Sequence, residues 1–214
     1  MRLVSVLYQD FYPFYNFNVV SSAVVSRNPE DLKQGDILLV WGGADIYAGY
    51  YGKSRSKYAH SDDAPSWRDA IEWGMMNKAK QLGIPIIGVC RGAQMLCALA
   101  GGYLMQHVTG HSGNHEVITN DGRKYVTNSI HHQMMVPGQA KHELLAQVAP
   151  DSLLSREYWD ENNKVDHNQE PEFIYFNDVN GFAIQWHPEM MAPDCAATKH
   201  IEEVLEKKLC LSPA

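Results

Sequence analysis

The chain has 214 residues, 45% of them hydrophobic and 20% charged, which is the composition of a soluble globular protein and too short for a multi-domain synthase. Eighteen basic against 25 acidic residues leave a net charge of −7, and the excess of carboxylates lies in residues 108–214, so nucleic acid and anionic membrane surfaces are disfavoured as partners. No run approaches the ~18 apolar residues of a membrane span, Met1–Tyr8 is too short for a signal-peptide core, and Cys90, Cys97, Cys195 and Cys210 show no CxxC spacing. The expectation is one cytoplasmic domain over residues 1–214, with neither a disulfide framework nor a zinc site.

In chain order, Met1–Tyr8 reads as an opening strand. The aromatic stretch Tyr8–Phe17 reads as packing, with a homodimer interface left open. Asp36–Trp41 is a second strand that stops at Gly42-Gly43. Its continuous apolar character fits a strand buried on both faces of a parallel sheet. Trp67, Ala70, Ile71, Met75, Ala79 and Leu82 recur at helical steps, with Ser66 as N-cap and Gly83 as stop. Ile84–Val89 is the next buried strand, and a helix over Arg91–Ala100 follows at once. After Gly110 the pattern changes to short strands, Arg123–Thr127, Glu172–Phe176 and Gly181–Trp186, for which antiparallel pairing is expected. Glu157–Glu172, with six carboxylates and one lysine, reads as a solvated loop or insertion that could instead edge the active site. Cys195–Leu209 closes the chain as an amphipathic helix.

Alternating strands and helices in the first half predict an α/β fold: a doubly wound, mostly parallel central sheet flanked by helices, with a small antiparallel region. Sites in such sheets form beyond the carboxyl ends of the strands, where Gly42-Gly43 and Cys90 both fall.

Gly88-Val89-Cys90-Arg91-Gly92 is G-x-C-x-G, a thiol version of the nucleophile elbow. A cysteine there is presented at a helix N-terminus, whose partial positive charge favours thiolate and whose N–H groups point where an oxyanion would form. Such a thiol needs a general base that later protonates a departing amine. Among ten histidines, His187 stands out because Gln185-Trp186-His187-Pro188-Glu189 follows an apolar strand and places Glu189 two residues on, as an orienting carboxylate. Gly42-Gly43 could supply a second oxyanion donor. His107, His111 and His115 have the i, i+4, i+8 spacing of a helical metal face. Gly110 and Gly113 break that helix, however, so no metal is expected there or at His131-His132. Cys97, two helical turns beyond Cys90, reads as core.

Taken together, GVCRGAQ over Gly88–Gln94 and QWHPE over Gln185–Glu189 resemble the class I glutamine amidotransferases. The further pieces GGAD at Gly42–Asp45, Arg68-Asp69, GIPIIG at Gly83–Gly88 and NSIHHQ at Asn128–Gln133 look most like the gamma-glutamyl hydrolase branch, which includes gamma-glutamyl-gamma-aminobutyrate hydrolases. The resemblance implies a flavodoxin-like fold and a Cys90–His187–Glu189 triad. It implies oxyanion N–H groups from Gly43 and Arg91, and a glutamyl head group held by Gly42, Gln94, Gln133 and Met134. His132 would be a structural member of its turn. Proline usually follows the GGxD of this branch and is missing from Ile46–Gly49, and Glu157–Glu172 matches no pattern of the family. Both departures bear on the leaving group.

The function expected is a cysteine amidase that cleaves the gamma-amide of glutamine or of a gamma-glutamyl amine through a glutamyl thioester, without metal or organic cofactor. The alternatives are a glutaminase subunit that delivers ammonia to a synthetase partner, and a catalytically inactive binding protein on the same fold.

Overall fold

The computed structural model describes residues 1–152 and 156–210, with the side chain of Cys210 outside the described set. Strands β1 (Arg2–Val6), β2 (Ser22–Ser26), β3 (Asp36–Val40) and β4 (Ile86–Val89) are followed by β5 (Tyr103–Met105), β6 (His107–Val108), β7 (His115–Thr119) and β8 (Lys124–Thr127). Next come β9 (Met134–Val136), β10 (His142–Val148), β11 (Tyr158–Asp160), β12 (Asn163–Val165), β13 (Pro171–Phe176) and β14 (Gly181–Ile184). The α-helices are α1 (Trp67–Leu82), α2 (Arg91–Leu99) and α3 (Ala196–Cys210).

One nine-stranded sheet runs β2-β1-β3-β4-β14-β13-β10-β7-β8. From β2 to β14 neighbouring strands are parallel, and from β14 to β8 they are antiparallel. Every residue of β3, β4 and β14 is buried, as continuous apolar runs covered on both faces require. One face carries α1 and α2, through Met75, Met76, Ala79, Met95 and Leu96. The other carries α3, through Ala197, Ile201 and Leu205, together with Phe14 and Phe17 of the N-terminal aromatic stretch. The sheet is therefore doubly wound. Its parallel order reverses between β1 and β3, the switch point beyond which sites form in such folds.

Local chemistry sets the element ends. Ser66 and Asp69 exchange side-chain and backbone hydrogen bonds in a capping box at the start of α1. Gly83 ends that helix in the left-handed conformation that glycine adopts without a Cβ clash.

The structure differs from the sequence reading in three ways. Gly181–Ile184 is antiparallel to β13 but parallel to β4, so this strand joins the two halves of the sheet. Strands β2, β7 and β10 of this sheet, and the short β5, β6 and β9, were not anticipated: β2 is a largely exposed edge strand, and β10 has register irregularities around Ala146 that blur its alternation. The acidic segment is not a solvated loop. It folds into the hairpin of β11 and β12, which pairs with β6 in a three-stranded sheet, and its last residues, from Pro171 on, enter β13 with Glu170 and Glu172 buried. Among the described residues, no helix is long and apolar enough to cross a membrane.

Candidate active site

Cys90 is the residue between the end of β4 and the start of α2. It sits at φ 49° and ψ −104°, a positive-φ conformation rare outside glycine. The turn is locked because the Cys90 N–H donates to the Ile184 carbonyl at 2.7 Å, while the Cys90 carbonyl accepts from Gln94 at 3.0 Å. Two glycines make it possible. A Cβ on Gly88 would lie 2.4 Å from the Gly92 carbonyl oxygen, and one on Gly92 would lie 2.1 Å from the Val40 oxygen. The G-x-C-x-G spacing is thus a steric necessity: the helix can pack this close to β3 and β4 only where side chains are missing.

Next in the sheet, β14 delivers His187 beside the thiol. A Cβ placed on Gly42 would lie 2.7 Å from His187 Cε1 and 3.4 Å from Cys90 Cβ, so Gly42, Cys90 and His187 occupy one small volume. His187 Nδ1 lies 2.6 Å from Glu189 Oε1. Burial pushes the His187 pKa down. Hydrogen bonding to Cys90 on one side and Glu189 on the other outweighs burial and raises it well above the ordinary imidazole value. The backbone of His187 is pinned in turn by Asn128, whose amide donates to the His187 carbonyl at 2.8 Å and accepts from its N–H at 2.8 Å.

Of the oxyanion donors expected, Arg91 opens α2, where the first N–H groups have no partner within the helix. Its side chain points away from the thiol into a buried network with Asp69 and Glu72. Burial and the neighbouring Arg68 lower its pKa to about 10, which leaves it charged at neutral pH. Arg68 completes the network. It donates to Glu72 at 2.8 Å, and to the carbonyls of Gly42 at 2.7 Å and Trp41 at 3.1 Å, so the loop carrying Gly43 is held from behind. Gln94 is buried one turn into α2. Its amide donates at 3.2 Å to the Gln133 carbonyl, which also lies 2.9 Å from His131 Nδ1. Met134 is buried in β9 next to it. A cavity of about 330 Å³, lined by Tyr8, Trp41, Gly42, Gly43, Arg68, His187, Glu189 and others, opens beside the imidazole.

The acidic segment, which departs from the family pattern, meets the Lys53–Lys57 loop. Lys53 pairs with Asp160 at 2.8 Å, the Ser54 N–H donates to Glu161 at 3.1 Å, and the Lys57 N–H donates to Asn162 at 3.0 Å. Asp45, from the GGAD piece, lies 3.1 Å from His132 Nε2. Cys97 is buried, and burial pushes its thiol up to about 12, consistent with a core residue.

Sequence reasoning had not assigned roles to Asn128, Arg68 and Glu72. Asn128 and Arg68 lie within motif pieces already noted, whereas Glu72 shows itself only as an acid at i+4 from Arg68 on the buried side of α1.

A doubly wound sheet that presents a cysteine elbow at the end of a central strand, facing a His-x-Glu at the end of the adjacent strand, is the architecture of the class I glutamine amidotransferase-like proteins. The chain belongs to the peptidase C26 family, which it matches over residues 25–189. A Mycobacterium tuberculosis protein named as a glutamine amidotransferase is 30% identical over 169 residues, 73% of this chain and 51% of that protein, so the chain spans about half the length of this relative. Among solved structures, a protein from Thermoplasma acidophilum described as a GMP synthase subunit superposes with TM-score 0.63 at 14% identity, covering 98% of this chain and 94% of that one. A glutamine amidotransferase from Thermotoga maritima superposes with TM-score 0.55 at 14% identity, covering all of this chain and 86% of the other. At these identities the structural likeness concerns the fold.

Proposed function

We propose that the chain is a gamma-glutamyl amide hydrolase of the gamma-glutamyl hydrolase branch, working as one domain over residues 1–214. The observation that carries the proposal is His187 packed with Cys90 around Gly42 while its Nδ1 is held by Glu189, at the mouth of an elbow that leaves Cys90 at a helix N-terminus. In the free enzyme the imidazole draws the thiol proton, and the helix N-terminus favours the resulting thiolate. The sulfur attacks the gamma-carbonyl, whose oxyanion is held by the N–H groups of Gly43 and Arg91. The imidazolium of His187 then protonates the departing amine, leaving a glutamyl thioester. Water, deprotonated by the same imidazole, cleaves the thioester and releases glutamate. Glu189 fixes the tautomer and stabilises the imidazolium throughout. Gln94 and the backbone at Gln133 and Met134 hold the glutamyl head group, with Gly42 allowing its close approach.

We assign selection of the leaving amine to the segments that depart from the family pattern, Ile46–Gly49 and the acidic segment folded as the β11–β12 hairpin. The likeness to a synthase component supports a second reading, a glutaminase subunit that passes ammonia to a synthetase partner. The presence of Cys90, His187 and Glu189 together argues against a catalytically inactive binding protein.

One experiment separates these readings: glutamate release by the purified chain from glutamine, gamma-glutamyl amines, polyamine conjugates and gamma-glutamyl peptides. A hydrolase turns over a gamma-glutamyl amine unaided, and Cys90→Ala abolishes that turnover while Cys97→Ala retains it. A subunit is nearly idle on every substrate until a synthetase is added. Glutamate release above background that is equal for Cys90→Ala and the parent chain would refute both.

A further inference from the structure

Outside the Cys90 site, four buried side chains converge on one point of the antiparallel half of the sheet. His115 opens β7, Glu172 lies in β13, His111 precedes β7, and His131 lies in the turn that leads to Gln133. Their exposures are 4%, 1%, 2% and 7%. Glu172 Oε1 lies 3.2 Å from His115 Nε2, 3.5 Å from His131 Nε2 and 3.8 Å from His111 Nδ1. None of these atoms has a hydrogen-bond partner of acceptable geometry among the described residues.

The outward nitrogens decide the state of two rings. His111 Nε2 is 3.2 Å from Glu170 Oε1, and His131 Nδ1 is 2.9 Å from the Gln133 carbonyl. Both partners are acceptors, so each ring carries its proton on that outward nitrogen. The inward nitrogen of a neutral ring is then a bare lone pair. Two lone pairs facing a carboxylate in a dry interior repel unless a positive charge sits between them. The spacing has the right scale for a metal ion. Four ligands at 2.0–2.1 Å around a tetrahedral ion are about 3.3–3.4 Å apart, and the three distances to Glu172 bracket that value. The Glu170–His111 contact is the carboxylate–imidazole pairing that orients histidine ligands. Glu170 is itself held by the Tyr158 hydroxyl at 2.9 Å and Arg156 at 2.9 Å.

We propose that His111, His115, His131 and Glu172 bind one divalent transition-metal ion of the zinc class, in a closed structural site that ties the turn before Gln133 to the sheet. Three imidazoles and one carboxylate match such a borderline ion, and four protein ligands leave no open position for catalysis. Sequence spacing had set His111 and His115 aside because glycines break the helix between them. Here one lies in a loop and the other on a strand, and the fold brings both to Glu172. Among the described residues, His111, His115 and Glu172 offer ligand atoms within 4.8 Å of one another, and Asp45, His60 and His132 are the other such group. It is more exposed, and His132 Nε2 already has Asp45 as its partner, so it serves as the control.

The test uses the full-length Cys90→Ala protein, so that no active-site thiolate takes part. After stripping with a chelator it is titrated with Zn²⁺ and with Co²⁺. The proposal expects one equivalent bound per chain, a tetrahedral Co²⁺ spectrum without thiolate bands, and a higher melting temperature with Zn²⁺. Added in that background, Glu172→Gln and His115→Ala should each weaken binding by at least about 100-fold, and His60→Ala should leave it unchanged. X-ray absorption on the zinc-loaded protein needs no ligand variant and should show three imidazoles in the coordination shell. The proposal is overturned by the lack of stoichiometric uptake, by a shell with fewer than three imidazoles, or by uptake that survives Glu172→Gln and is lost with His60→Ala. Because no readout is activity, failure here leaves the hydrolase reading standing, and failure of that reading leaves this one.

Discussion

Replacing Gly42 with alanine should slow the chemistry while sparing the fold. The added Cβ would stand 2.7 Å from His187 Cε1, whereas carbon atoms rest at about 3.5–4.0 Å, so the ring must retreat by about 1 Å. It cannot do so freely, because Nδ1 is held 2.6 Å from Glu189 and the backbone is pinned by Asn128. A misplacement of about 1 Å at a reacting group costs roughly 100-fold in rate, or about 2.7 kcal/mol on the barrier. Stability should fall by about 1–3 kcal/mol, the cost of overpacking a held side chain, which leaves the protein folded at assay temperature. The assays are kcat for glutamate release, the rate of Cys90 alkylation by iodoacetamide, and the melting temperature. An unchanged kcat and alkylation rate would refute the close packing of Gly42, Cys90 and His187. So would an activity loss fully explained by unfolding.

Glu189→Gln removes one of the two contacts that raise the His187 pKa, so the imidazolium should be lost at lower pH. The alkaline limb of the kcat/KM profile for amide cleavage should shift towards acid, and an unmoved limb would contradict the orienting role. Glu72→Gln leaves Arg91 short of a buried counter-charge and should destabilise the fold by about 3–5 kcal/mol, read by denaturant unfolding. Asn128→Ala removes both clamps on the His187 backbone and should cost about 1–3 kcal/mol of stability, together with a fall in kcat larger than any change in KM. Iodoacetamide at neutral pH should label Cys90 and leave Cys97 intact, as mass mapping would show, because burial keeps the Cys97 thiol protonated.

Much of the parallel half was legible without coordinates, since its signals are local. Continuous apolar runs marked β3 and β4, Ser66 and Gly83 bounded α1, and two glycines spaced around Cys90 announced the elbow. Each depends on sterics or hydrogen bonding within a few residues. The same holds for His187 and Glu189, which lie two positions apart on one extended segment.

The rest depends on contacts far apart in the chain. No local rule reveals that the acidic stretch pairs with His107-Val108 as a hairpin, or that Arg91 turns inward to meet Asp69 and Glu72 while Arg68 braces the Gly42 loop. Nor could spacing bring His111, His115, His131 and Glu172 together, since they come from two strands, a loop and a turn. Backbone conformation answers to neighbours in sequence. Which charges and lone pairs share a dry interior is decided only when the sheet closes.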